Sequence, residues 1–303
     1  MRKSAIALAV TAGLFASAAT YADTTFYGSF RTGVFMSDPD APGTDATWGV
    51  RDEGSRWGVR GSEDLGNGLS ATYQLEARVN SGAFNQGFGG PAFGGRLLWM
   101  GLEGGFGAAR IGTQWTPYYI DVIGRIDQFN AVGDVLYRNS VMPFRANNAI
   151  LYQTPASLDM FKFAAMATLD GNAGTRDFDT YNLGLSANFG PAGLGIAYLS
   201  NEVTDQDQFA VAADVSFAGA QLIASYENFD GDVDFFNVYG DYTFGNNIIR
   251  AHWGRTDPDV GDSNNDFGVG FQHNLSARTR VWAEYADLED IEKQFSLGMR
   301  HDF

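Results

Sequence analysis

Apolar and polar residues alternate one by one along most of the chain, and a period of two suits β-strands and little else. In "TFYGSFRTGVF", Phe26, Gly28, Phe30, Thr32 and Val34 alternate with Tyr27, Ser29 and Arg31. In "LSATYQLEAR", Leu69, Ala71, Tyr73 and Leu75 alternate with Ser70, Thr72, Gln74, Glu76 and Arg78. The pattern returns in "DTYNLGLSANF", "QFAVAADVSF", "FFNVYGDYTF", "FGVGFQHNL" and "TRVWAEYADL". About sixteen such segments follow one another, each near the 9–11 residues that carry a tilted strand across a bilayer.

The connections alternate as well. Short turns such as "LGNG", "GGFG", "GPAG", "FAGA", "FGNN" and "LSAR" take turns with longer polar stretches at 36–53, 79–95, 116–146 and 257–265. One end of the strand array therefore carries tight hairpins and the other carries long loops. No linker interrupts the series, which predicts one domain. A soluble sandwich buries its apolar stripes in a shared core. A closed membrane barrel turns them to lipid, keeps the other stripe polar or glycine, and leaves no unpaired edge in hydrocarbon. Sixteen strands enclose a channel, so the fold expected is an all-β, 16-stranded antiparallel transmembrane barrel. Tyr27, Phe189, Phe217, Tyr242 and Phe244, near segment ends, fit interfacial girdles.

The opening "MRKSAIALAVTAGLFASAATYA" has a basic start at Arg2 and Lys3, an apolar run and small residues before Ala22. It reads as a secretory signal peptide, residues 1–22, with the barrel as 23–303. No run of 18 apolar residues follows it, which excludes a helical membrane protein. The chain has no cysteine, which excludes a disulfide scaffold. Its formal charge of −16 becomes −18 without Arg2 and Lys3, which argues against a nucleic-acid partner. Chain ends usually fray, yet the alternation in "QFSLGMRHDF" runs to Phe303, as expected if the last strand closes against the first.

"SRWGVRGSEDLGNGLSATYQLE" (55–76), "GLEGGFGAARIGTQWTPYY" (101–119) and the ending "LGMRHDF" resemble the Gram-negative general porin family. The resemblance implies a homotrimer in the bacterial outer membrane. It also implies passive diffusion of ions and small hydrophilic solutes, with lipid and lipopolysaccharide around the barrel. Phe303 would then be the signal read by the outer-membrane assembly machinery. By position, residues 116–146 correspond to the family's third loop, which folds into the lumen. Tyr118, Ile120, Val122, Ile123 and Phe129 would be poorly placed on a loop in water.

The same resemblance puts Arg56, Arg96 and Arg145 where the family's basic wall lies, and Asp127 at the loop acid, with Asp121 and Asp134 as neighbours. Arg31 and Arg60 join the wall by alternation. An acidic loop facing guanidinium groups sets a field across a constriction. The chain departs from its relatives at Ser29, Thr113, Gln128 and Asn130, and acidic outer loops oppose the arginine wall, so ion preference stays open.

Other readings are weaker. A sugar-specific channel calls for an aromatic track, for which Phe235, Tyr239 and Trp282 are few; an organic-anion channel would draw on lysines, and after the signal peptide only Lys162 and Lys293 remain. A barrel enzyme needs a nucleophile signature, and no G-x-S-x-G is present. His252, His273 and His301 lack metal-ligand spacing. "DGDVD" and "DPDVGDSNND" do not match an EF-hand, and the glycine-rich 81–95 precedes no helix. No cofactor, metal or catalytic residue is expected.

Overall fold

The computed structural model describes residues 22–80, 92–133, 144–155, 158, 160–169 and 177–303. Asp134, the segment 81–91 and nearly all of the expected signal peptide lie outside the described residues. The wall is built from β1 (Ala22–Pro39), β2 (Thr47–Asp52), β3 (Arg56–Gly66), β4 (Leu69–Val79), β5 (Phe93–Gly104), β6 (Gly107–Trp115), β7 (Arg145–Gln153), β8 (Phe161–Leu169) and β9 (Phe178–Phe189). It continues through β10 (Ala192–Asn201), β11 (Gln206–Phe217), β12 (Ala220–Phe229), β13 (Val233–Phe244), β14 (Asn247–Pro258), β15 (Asn264–Asn274), β16 (Thr279–Leu288) and β17 (Glu292–Asp302).

Segments β2 and β3 are two halves of one wall strand. Both pair with β1, Met36 opposite Trp48 and Phe26 opposite Val59, with residues 53–55 between them. The wall is thus a 16-stranded antiparallel barrel. Each strand pairs with the next, and β17 closes on β1 with Val34 opposite Leu297. Closure satisfies every wall strand from both sides, which is the condition for strands in hydrocarbon.

The outer stripe is apolar and exposed, as at Phe26, Phe30, Leu98, Met100, Val269 and Leu297. The inner stripe differs from the polar-or-glycine expectation. On β10 to β12 it carries Gly193, Gly195, Ala197, Leu199, Ala210, Ala212 and Ile223. The reason is the long connection between β6 and β7. Its short helix α1 (residues 119–126), wound first as a π turn over Tyr119–Ile123, packs on this stripe. Tyr118, Val122, Ile123, Ile126, Phe129 and Val132 form one buried cluster with Ala197, Leu199, Ala210, Ala212, Ile223 and Tyr239. Small wall residues make the seat and large loop residues fill it. Ile120 alone of the expected loop anchors is exposed, at 44%.

The polar stretches at 36–53 and 257–265 are shorter loops than expected. Pairing continues to Ser37 with Thr47 and to Val233 with Pro258, leaving turns near 40–46 and 259–263. Polar residues there alternate within strands that extend past the apolar band.

Candidate functional site: the constriction

Three irregularities in the wall shape the lumen beside α1. Ser55 and Arg56 follow the break between β2 and β3, where the Asp52 carboxylate accepts from the Gly54 and Ser55 N–H groups, each at 2.9 Å. On β5 the register shifts so that Leu97 faces Glu76 and Gly95 faces Ala77, leaving Arg96 as an extra residue. A bulge of this kind re-aims a side chain. Arg96 shares its parity with the outward Leu98 and Met100, yet its Nε reaches the buried Glu76 carboxylate at 2.6 Å. A third shift, between Gly112 and Gln114, precedes Trp115 and its partner Arg145.

These features open onto a cavity of about 1110 Å³ between α1 and the wall. Its lining includes Arg250, Arg280, Arg300, Arg31, Arg51, Arg56, Arg96 and Arg145 in wall order, and the acids Asp52, Glu53 and Asp127. Arg31 stands directly opposite Arg300 across strands, and Arg280 stands opposite Arg300 on its other side. Like charges in register repel, and one carboxylate, Asp302, answers two of them, at 2.8 Å from Arg280 and 2.6 Å from Arg300. Arg51 pairs with Glu53 at 3.0 Å and Arg250 with Glu284 at 3.5 Å. Arg56 is 3.9 Å from Glu76. Counting Glu76, Glu284 and Asp302 with the lining acids, the arginines still outnumber the carboxylates by two.

Loop and wall are tied at several points. The Tyr118 hydroxyl donates to Glu227 at 2.9 Å, and burial, with the Glu227 charge behind it, raises that hydroxyl so that it stays a neutral donor. Tyr119 donates to Asp127 at 2.5 Å and is raised in the same way by burial and then by Asp127. Arg125 binds the Asp214 carboxylate and donates to the Asp121 carbonyl at 2.7 Å and the Leu194 carbonyl at 3.2 Å. At the far end Glu284, 2% exposed, accepts from the N–H groups of Asn130 and Ala131, each at 2.8 Å, and from that of Val132 at 3.4 Å.

Of the residues expected from sequence, Arg31, Arg56, Arg96, Arg145 and Asp127 border the one cavity. Arg60 does not; its guanidinium lies over the Tyr27 ring at 5.2 Å. Asp121 is buried against the wall, where the Ser186 hydroxyl donates to it, and does not border the cavity. Arg51, Arg250, Arg280 and Arg300 were not expected, although inward parity marks each of them. No cluster of metal-ligating side chains occurs among the described residues.

A closed 16-stranded barrel with a charged, loop-narrowed lumen defines a transmembrane channel. A family model described as Gram-negative porin matches residues 4–291, and the chain belongs to that family. It is 28% identical to an outer membrane porin protein of Bordetella pertussis, with both chains fully covered. It is 29% identical to outer membrane porin protein 32 of Delftia acidovorans, covering 99% of this chain and 93% of the relative. Among solved structures, an anion-selective porin from Comamonas acidovorans superposes with a TM-score of 0.76 at 23% identity, over 93% of this chain and all of that one. OmpF of Salmonella typhi superposes at 0.74 and 15% identity, over 92% of this chain and 97% of that one. The chain is an integral outer-membrane protein and a passive channel; family and fold point to a channel rather than an enzyme.

Proposed function

We propose that this channel passes small anions in preference to cations, and that the arginines around the cavity, with Asp127 opposite, are what an ion meets at the narrowest point. The observation that carries the reading is the excess of guanidinium over carboxylate around one cavity, with Arg31, Arg300 and Arg280 in direct cross-strand register. Such a row costs stability and is expected where function needs the field. The scarcity of lysine does not count against anions, because guanidinium stays charged and binds oxygen anions well. Acidic outer turns such as Asp230, Asp232, Asp259 and Asp262 are exposed to solvent, and salt screens them over about 10 Å at 0.1 M. The neighbour from Comamonas acidovorans, described as anion-selective, supports the same reading.

The assembly proposed is a homotrimer embedded in lipid and lipopolysaccharide, with Phe303 as the handle for outer-membrane assembly; one neighbour, OmpT of Vibrio cholerae, is described in a trimer form. The test is planar-bilayer recording across a potassium chloride gradient. A reversal potential of the anion-selective sign, with conductance lost in three equal steps, is expected. A cation-selective potential overturns the ion preference, and a single step overturns the trimer.

A further inference from the structure

Four of the eight cavity arginines lie over aromatic rings. The Arg51 guanidinium is 3.4 Å from the Phe35 ring centre, Arg145 and Arg96 are 4.8 and 5.7 Å from that of Trp115, and Arg250 is 5.7 Å from that of Phe129. Trp115 is itself held, stacked on Tyr119 at 4.5 Å with an interplanar angle of 16°, and Phe144 packs on Tyr119 at 4.8 Å. A flexible cation in a wide pore would normally be free to turn toward water. Here a ring lies beside each guanidinium, whose hydrogen-bonding capacity is in its plane, where the N–H fork points; Arg51, Arg96 and Arg250 already commit donors to Glu53, Glu76 and Gln272.

Two kinds of positive site rank anions differently. A diffuse positive field ranks them by the ease of shedding water, and so passes chloride before a strongly hydrated carboxylate. A fixed guanidinium fork accepts two oxygens of a planar anion in parallel, a fit that a spherical halide does not offer. Arg145 is the clearest fork: it has a Trp115 face beneath it and no carboxylate within ion-pair distance among the described residues.

We infer that Arg145, backed by Trp115, makes the constriction selective among anions, favouring planar oxygen anions of the carboxylate class over halides, with Trp115 as the positioning residue. The inference rests on the anion preference proposed above and deepens it. Nothing covalent is involved; an anion exchanges part of its hydration for two in-plane N–H donors and then passes on.

The test uses the full-length channel in planar bilayers with sodium formate on one side and sodium chloride on the other. A salt-gradient measurement on the same membrane reads anion against cation, so failure of the parent reading is separately visible. Formate is expected to be favoured by about threefold, a modest share of what one charge-assisted, aromatic-backed contact supplies. Trp115→Leu is expected to reverse the order to chloride over formate, and Trp115→Phe, which keeps an aromatic face, to retain it. If Trp115→Leu yields no channel, Arg145→Lys, which keeps the charge and loses the fork, tests the same idea and is expected to lose the preference. Chloride favoured in the wild type, or a formate preference untouched by Trp115→Leu or Arg145→Lys, overturns the inference.

Discussion

Phe303 and Gly28 exchange both main-chain hydrogen bonds, each at 3.0 Å, and the Phe303 ring lies over the space where Gly28 has no side chain. The ring meets Phe30 at 5.2 Å and Phe26 at 5.8 Å on the outer face, so the last residue is paired and packed at the seam where the barrel closes. A Cβ at Gly28 would stand 2.6 Å from Phe303 Cε2.

Gly28→Val is therefore expected to push the terminal ring off the seam, and Phe303→Ala to remove its two ring contacts, at about 1–2 kcal/mol in the folded barrel. The measurement is the temperature at which the barrel loses its compact, heat-modifiable migration in gels. An unchanged temperature for both variants would mean that the seam owes nothing to the ring.

The second prediction concerns the far end of the third loop. Glu284 gathers the N–H groups of three successive residues and the Asn130 side-chain amide at 2.9 Å, with Arg250 beside it. Glu284→Ala leaves the three main-chain donors without that carboxylate and a buried guanidinium without its counter-charge. Breaking one side of a buried pair costs about 3–5 kcal/mol. The expected result is a lower melting temperature together with a larger, noisier single-channel conductance as the loop tip leaves the wall. A stable variant of ordinary conductance would show that the tip is held elsewhere.

A third prediction tests the seat of α1. A Cβ at Gly195 would stand 2.8 Å from the Asp121 carbonyl carbon and 2.9 Å from Arg125 Nε, and one at Gly184 would stand 2.9 Å from Pro117 Cβ. Gly195→Val should lift the helix while leaving the ladder pairs Gly195–Ala212 and Gly195–Ser186 intact. Overpacking of this kind costs about 1–3 kcal/mol. The readout is conductance: a decrease, as the helix is pushed toward the cavity, with unchanged barrel content by circular dichroism supports the seat, and an unchanged conductance removes it.

The barrel was legible in the sequence because its rule is local. Alternation writes the outer stripe into every segment, and Phe26, Leu183 and Leu297 all follow it. The loop's seat was less legible. Gly193, Gly195, Ala197 and Ala210 look like ordinary lumen glycines and alanines until Tyr118 and Val122 are placed on them. The constriction was readable only in part. Arg31 and Arg56 follow parity, but Arg96 violates it, since one extra residue on β5 turns it from the side of Leu98 to the side of Glu76. Its expected role came from resemblance and not from periodicity. Arg280 and Arg300 had the right parity throughout, but only the register of β16, β17 and β1 reveals that they stand in one row with Arg31.

The last prediction follows from the place of Asp121. It is buried between α1 and the wall, and burial, the largest influence, raises its carboxyl above the ordinary value of 3.8. The hydrogen bond from Ser186 and the charges of Arg125 and Lys162 act in the opposite direction without cancelling it. A carboxyl that holds its proton more tightly when docked favours docking fully below the ordinary value, and that contribution is lost as pH rises through the raised one. Other carboxylates titrate over the same range, so the informative quantity is the difference between wild type and Asp121→Asn, which keeps an acceptor for Ser186 and cannot ionise. Thermal stability measured from about pH 3 to about pH 8 is expected to favour the variant progressively as pH rises. Parallel curves would mean that Asp121 carries no such cost in the docked loop, and that α1 is held by Arg125, Tyr118 and the apolar seat alone.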